Sequence, residues 1–262
     1  MAASEHFAFP ALSRVNATRP FAWLAAGAAD FGARPLVSLF YGLCFAIMGW
    51  VLNFVFNHAV QYTSALTMGF LLVGPLLSIG LYDLSRQREA GLRPALGPSI
   101  LAWRNNVGAI GLYVLIVTVI FLLWARASLV VFALFYTQDM PTMAGFLKQI
   151  VALENVDFLI AYFAVGLIFA TLVFAISVVS IPYLVDAQVD AVTAAAASVI
   201  VLARNPAAMI VWAVLIVAFT GLGFETAYIG LAVTAPLIGH ATWHAYRDLV
   251  HPVPAGSDTP AI

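Results

Sequence analysis

His240 and His244 lie four residues apart, and their type and spacing could do chemistry. Side chains at i and i+4 share one face of a helix, so the two imidazoles could hold a metal ion or one edge of a haem. A third ligand would have to come from Asp83, Asp186 or Asp190, because no cysteine accompanies the pair. The plainer use of both rings is hydrogen bonding at a membrane interface, beside Trp243, Tyr246 and Arg247. Arg126 is the second candidate. An arginine at the bilayer centre costs at least about 2.5–3.5 kcal/mol and normally marks function. Counted from Val107, however, it falls roughly 19 residues along a helix, about 29 Å at the helical rise, beside Trp124, a residue suited to the outer interface. Snorkelling there is the ordinary reading, and a later start of that span would carry Arg126 inward.

Asp83, Asp186 and Asp190 invite a proton or cation role, yet Arg86, Arg88, Arg104 and Arg204 are near in sequence, so paired or solvated charge is the ordinary reading. Pro75 and Pro236, with Gly80 and Gly239, could hinge a moving bundle, although prolines also bend static membrane helices. No phosphate-cradling glycine loop, nucleophile elbow, zincin motif or paired-carboxylate site occurs. The expectation from sequence is therefore no catalytic residue, no cofactor and no metal, with His240 and His244 as weak metal candidates.

Hydrophobic residues make up 63% of the 262 residues and charged residues 9%, against about 45–50% and about 25% in soluble domains. Such a chain needs lipid as its solvent. The 11 Lys and Arg nearly balance the 12 Asp and Glu, which gives no reason to expect a nucleic-acid partner. Cys44, alone in an apolar run, reads as a small packing residue. About 20 residues of helix cross a bilayer, and on that measure six spans are expected, near 36–56, 63–83, 107–127, 158–180, 206–222 and 225–246. With the amino terminus inside, nine arginines from Arg14 to Arg247 fall on the inner side. Lys148 falls outside, and Arg126 near that boundary. This asymmetry predicts a multi-pass membrane protein with both termini cytoplasmic.

The spans pair into three hairpins. Arg34-Pro35, Arg104-Asn105-Asn106 and Arg204-Asn205-Pro206 precede the outward-going helices, where Asn can cap and Pro suits the first turn. Pro75, Pro182 and Pro236 mark the returning ones as kinked. Elbows over 83–104 and 186–204, and the stretch 19–31, read as interfacial amphipathic helices. The organisation expected is a cytoplasmic tail with an interfacial helix (1–34), an all-α six-helix membrane domain (35–248) with an outer insertion (128–156), and a disordered cytoplasmic tail (249–262). Asn155 and Asp157 would cap the fourth span, and a tight turn at 220–223 would join the last two.

The run Trp23-Leu24, Gly27, Asp30, Pro35, Ser38-Leu39, Tyr41-Gly42, then Gly74-Pro75 and Pro236-Leu237, Gly239-His240-Ala241-Thr242-Trp243-His244, resembles the bacterial integral membrane proteins of the domain of unknown function 2189 family. The resemblance implies an integral membrane protein without assigned catalytic residues, and some members carry the label of a cytochrome c oxidase subunit. A haem-copper catalytic subunit needs about six histidines converging within its spans. This chain has five histidines, with only His240 and His244 on a span, so it is not such a subunit. The function expected is a non-catalytic accessory or scaffold protein associating with a membrane complex, for which a respiratory complex is the candidate. The alternative is a small-solute or lipid carrier with a cavity between the kinked hairpins. The partners expected are the lipid bilayer and a membrane protein.

Overall fold

A bilayer leaves each crossing segment to satisfy its own backbone hydrogen bonds, and the long apolar runs of this chain do so as helices. The computed structural model describes residues 9–58, 63–135 and 155–252. Among them, a short strand β1 (Ala11–Leu12) precedes α1 (Arg19–Ala33) and α2 (Pro35–His58). Next come α3 (Thr63–Glu89), α4 (Leu96–Leu101), a 3-10 turn (Ala102–Asn106) and α5 (Val107–Phe135). After residues outside the described set come α6 (Val156–Ser177), α7 (Ser180–Asp186), α8 (Ala191–Arg204), α9 (Pro206–Glu225), α10 (Leu231–Leu249) and β2 (Val250–His251).

Among the described residues, four runs are long and apolar enough to cross a membrane by length and composition: 35–58, 96–135, 156–186 and 206–225. The fold is that of an all-α membrane protein. The other two long helices carry more charge near their ends. α3 finishes through Asp83, Arg86, Arg88 and Glu89, and α10 through His240, His244, Arg247 and Asp248.

The chain divides into two compact units, Met1–Val114 with Ile176–Ile262, and Leu115–Ala175. In the first, α10 is the central helix, packed by α1, α2, α3 and α9. The two faces of α2 show how. Leu36, Phe40, Leu43, Ile47, Trp50 and Phe54 recur at helical spacing and are exposed, whereas Ser38, Tyr41, Gly42 and Ala46 are buried. Large apolar side chains outside and small residues inside is the arrangement lipid selects, because backbone approach rather than water exclusion holds such helices together. Ser38, Gly42 and Ala46 are spaced four apart on the inner face. A Cβ added at Gly42 would lie 1.9 Å from the Ala232 carbonyl oxygen, and one at Gly27 would lie 2.6 Å from the Ala241 nitrogen. Both α1 and α2 therefore touch α10 backbone to backbone.

In the second unit, Phe158 of α6 is fully buried and meets Phe132 and Tyr162 with ring centroids 5.1 and 5.7 Å apart. Asp157 sits in the first turn of α6, where a negative charge favours the helix start. Asn155 ahead of it has φ 52°, a left-handed conformation that asparagine tolerates.

Several boundaries differ from the sequence reading for local reasons. α9 runs through Gly221 and Gly223 to Glu225, so the turn into α10 comes later, at residues 226–230, with Ala227 and Tyr228 at positive φ. α3 continues past Asp83 to Glu89. The fourth long helix stops at Ser177 and restarts as α7, because Pro182 cannot donate to the carbonyl four residues back and clashes with it. Pro75 and Pro236, by contrast, lie inside continuous helices.

Asn205 precedes α9 but makes no side-chain cap. It is instead buried, accepting from the Val15 nitrogen at 2.8 Å and donating to the Ser13 oxygen at 3.1 Å. Asn106 likewise donates to the carbonyls of Leu184 (3.2 Å) and Val189 (2.9 Å), tying one elbow to the other. β1 pairs antiparallel with β2, Ala11 opposite His251 and Leu12 opposite Val250, where the sequence suggests only tails. Lys148, residues 136–154 of the expected outer insertion and residues 253–262 lie outside the described residues.

The elbow helix α8 depends on Asp190, whose Oδ1 accepts from the Val192 and Thr193 nitrogens at 2.9 Å each. The hydroxyl of Thr193 donates to Oδ2 at 2.7 Å, and these bonds, led by that from Thr193, hold the carboxyl below its ordinary value of 3.8. Asp190→Ala is expected to lower stability by about 1 kcal/mol, the usual value of an N-cap. Thermal unfolding in detergent followed by circular dichroism checks this, with Asp190→Asn nearer to wild type.

Candidate functional site

The ionisable residues that collect at one end of the first unit are carried by α10 and by the helices around it. One helical turn of spacing puts His240 and His244 on the same face, and the close backbone approach at Gly27 and Gly42 brings α1 and α2 against that face. His240 is 1% exposed. Its Nε2 lies 2.9 Å from the Ser38 hydroxyl of α2, and its Nδ1 lies 2.8 Å from the Ser85 hydroxyl of α3. A neutral imidazole has one donor and one acceptor nitrogen, so one serine donates to the ring and the other accepts from it.

His244 faces Asp30 of α1, with Nε2 2.9 Å from Oδ2. Asp30 also pairs with Arg88 of α3 through Oδ1. Burial alone would raise the Asp30 carboxyl. Hydrogen bonds from His244, Ser85 and Arg88 outweigh it and hold the group below 3.8. His244, Asp30, Ser85, His240 and Ser38 thus form one hydrogen-bonded chain across four helices.

Three further clusters flank it. Glu89 accepts from the Trp243 indole at 2.9 Å and from Arg247 Nε at 3.0 Å, and Asp186 accepts from the Tyr246 hydroxyl at 2.7 Å and from Arg247 at 3.3 Å. Asp83 accepts from Arg86 Nε at 3.0 Å and from Gln87 at 2.6 Å. At the end of α10, Asp248 receives Arg19 Nε at 2.6 Å and the Trp23 indole at 2.8 Å. Burial opposes ionisation of Asp248, but these two donors keep its carboxyl low.

The structure therefore brings together His240, His244, Asp83 and Asp186 at one end of the first unit, but not as ligands to a common point. Both nitrogens of His240 face serines, and a metal would have to displace one of them. Among the described residues no group of three or more His, Cys, Asp or Glu is placed to hold a metal ion. Asp190 lies apart as the cap of α8. Pro236 is buried against α2, its Cγ 2.7 Å from where a Gly42 Cβ would stand, and Pro75 is half-buried inside α3. Arg126 is exposed on the α5 segment of the second unit.

Asp30, Ser38, Ser85, Arg88 and Glu89 were not singled out as chemistry by sequence, although Asp30 and Ser38 fall within the run that resembles the family. The missed signal was the four-residue spacing of small residues on α2, which marks the face that meets another helix.

Residues 62–186 match the family model described as predicted integral membrane protein, DUF2189. The match covers just under half of the chain, from the start of α3 through α7. It supplies Ser85, Arg88, Glu89 and Asp186 to the polar end, while α1, α2 and α10, which carry Asp30, Ser38, His240 and His244, lie outside the matched residues. No curated protein and no solved structure matches the chain. The chain is an integral membrane protein with several apolar helices.

Proposed function

We propose that this chain is a non-catalytic accessory or scaffold protein of the bacterial inner membrane. In this reading it crosses the bilayer six times and associates there with another membrane protein, a respiratory complex being the first partner to test. The observation that carries the reading is the way its polar groups are used. Asp30, Asp83, Glu89, Asp186 and Asp248 are each engaged by arginine, histidine, tryptophan, tyrosine or glutamine side chains of the same chain. The outward faces of α2 and α9 offer apolar side chains instead. A bundle so arranged has cohesion inside and greasy helix faces outside, which suits a partner within lipid better than a soluble substrate.

The pairing of β1 with β2 supports an even number of crossings, because residues 11–12 and 250–251 must then lie on one side. The arginine distribution supports calling that side cytoplasmic. A carrier would need a cavity reaching the polar chain, and His240 is enclosed with both nitrogens bonded, which favours the scaffold over the carrier.

Purification of the tagged chain from its native membrane in mild detergent tests the proposal. We expect a membrane-protein complex in constant ratio to the chain, and reduced assembly of that complex when the chain is deleted. Recovery of the chain without a stoichiometric partner, with oxidase assembly unchanged on deletion, would overturn it.

A further inference from the structure

Arg34 is the single residue between α1 and α2, and its Nε donates to the Pro94 carbonyl at 3.3 Å. That bond anchors the guanidinium beside the 90–95 loop, next in sequence to Arg93, and leaves its two terminal nitrogens without a carboxylate partner among the described residues. Arg93 has no carboxylate partner there either. The acids on the adjoining helices are already engaged: Asp30 by Arg88 and His244, and Asp83 by Arg86 and Gln87. Among the described residues, therefore, no carboxylate neutralises the positive charge at this elbow.

The elbow also has a shape. Ala33, Arg34, Pro35, Leu36 and Val37 line an open cleft of about 400 Å³. Leu36 is 82% exposed, and Leu92 on the loop is also exposed. An arginine fork with spare donors matches a phosphate, and apolar side chains beside it match acyl chains. Basic pockets at the ends of membrane helices hold anionic headgroups by this combination.

We propose that the α1–α2 elbow is a binding site for an anionic phospholipid, with Arg34 as the ligand to the phosphate and Arg93 adding charge. The phosphate chemistry alone would also fit free inorganic phosphate. The lipid is the occupant because the cleft is walled mainly by apolar residues and belongs to a chain that resides in membrane. The proposal rests on that residence and not on the number of spans or on a protein partner.

Native mass spectrometry of the detergent-purified full chain decides it. The chain is titrated with phosphatidylglycerol, with phosphatidylcholine, and with phosphatidylglycerol in the presence of inorganic phosphate. We expect phosphatidylglycerol to bind in preference to phosphatidylcholine and inorganic phosphate not to displace it. Arg34→Gln should weaken phosphatidylglycerol binding about fivefold, the effect of one arginine at an anionic surface, while Arg34→Lys keeps most of it and Arg93→Gln loses a smaller part.

Equal binding of the two lipids, displacement by inorganic phosphate, or wild-type phosphatidylglycerol binding by Arg34→Gln would each overturn the proposal. If Arg34→Gln lowers the melting transition, Arg93→Gln, whose side chain is exposed, decides, and undiminished preference in that variant overturns it. The measurement is made on the isolated chain, so its failure leaves the association with a partner membrane protein standing.

Discussion

Replacing Gly42 with valine is expected to force α2 away from α10 and to destabilise the protein by about 3 kcal/mol or more. The first added atom, Cβ, would stand 1.9 Å from the Ala232 carbonyl oxygen, 2.6 Å from its carbon and 2.7 Å from Pro236 Cγ. Two of these are backbone atoms within a helix, which cannot rotate out of the way as a side-chain tip can. The helices must separate, and the separation is felt at the polar end, since Ser38 lies one turn before Gly42 and holds His240 at 2.9 Å. Thermal melting in detergent, followed by tryptophan fluorescence and by the monodisperse fraction on size exclusion, reads the loss. Gly32→Ala is the control. Nothing lies within 4 Å of a Cβ at Gly32 in α1, so this variant should be neutral or gain up to about 1 kcal/mol from helix propensity. A wild-type melting curve for Gly42→Val would mean that α2 and α10 do not pack as closely as described.

Removing the carboxylate of Asp30 is the second large perturbation. Its side chain is 4% exposed and faces Arg88 and His244, which are 41% and 28% exposed. Breaking a fully buried pair costs about 3–5 kcal/mol. Here both cations can turn toward water or headgroups, and the expected loss for Asp30→Ala is smaller, about 2 kcal/mol after that screening. Asp30→Asn keeps the shape and should fall between the two.

The same group gives a pH dependence with a definite sign. The Asp30 carboxyl is held below 3.8 in the folded protein. Its contribution is therefore complete above about pH 4 and is lost as pH falls through the lowered folded value. Asp248 and Asp190, also held low, act in the same direction. Wild-type stability should decline on acidification below about pH 4, and Asp30→Ala should show a shallower decline than wild type. Parallel acid limbs for the two proteins would show that the carboxylate is not paired as described.

How much of this was legible in sequence differs by element. The helices at 35–58, 107–135 and 206–225 follow from apolar length alone, and the segment 19–31 falls within α1, where Phe21, Leu24, Ala28 and Phe31 recur at helical spacing. The asparagines before α5 and α9 look like caps from their position, yet Asn106 and Asn205 reach other segments instead. The break before α7 was signalled by Pro182, but its place at residues 178–179 depends on where the preceding carbonyls stand. His240 and His244 lie one turn apart on α10, since i and i+4 spacing is a property of the helix itself.

The sequence by itself determined that this chain lives in lipid, that it is built of helices, and which residues lie together along each one. These follow from composition and periodicity, which are local and hold whatever the helices meet. Only the tertiary structure decided that His244 faces Asp30 across 214 residues, that Arg88 reaches the same carboxylate across 58, and that His240 is held between Ser38 and Ser85. A hydrogen bond needs its partners within about 3 Å, and no pattern along one helix states which other helix will come that close. That was settled by glycines, whose missing side chains let α1 and α2 lie against the backbone of α10.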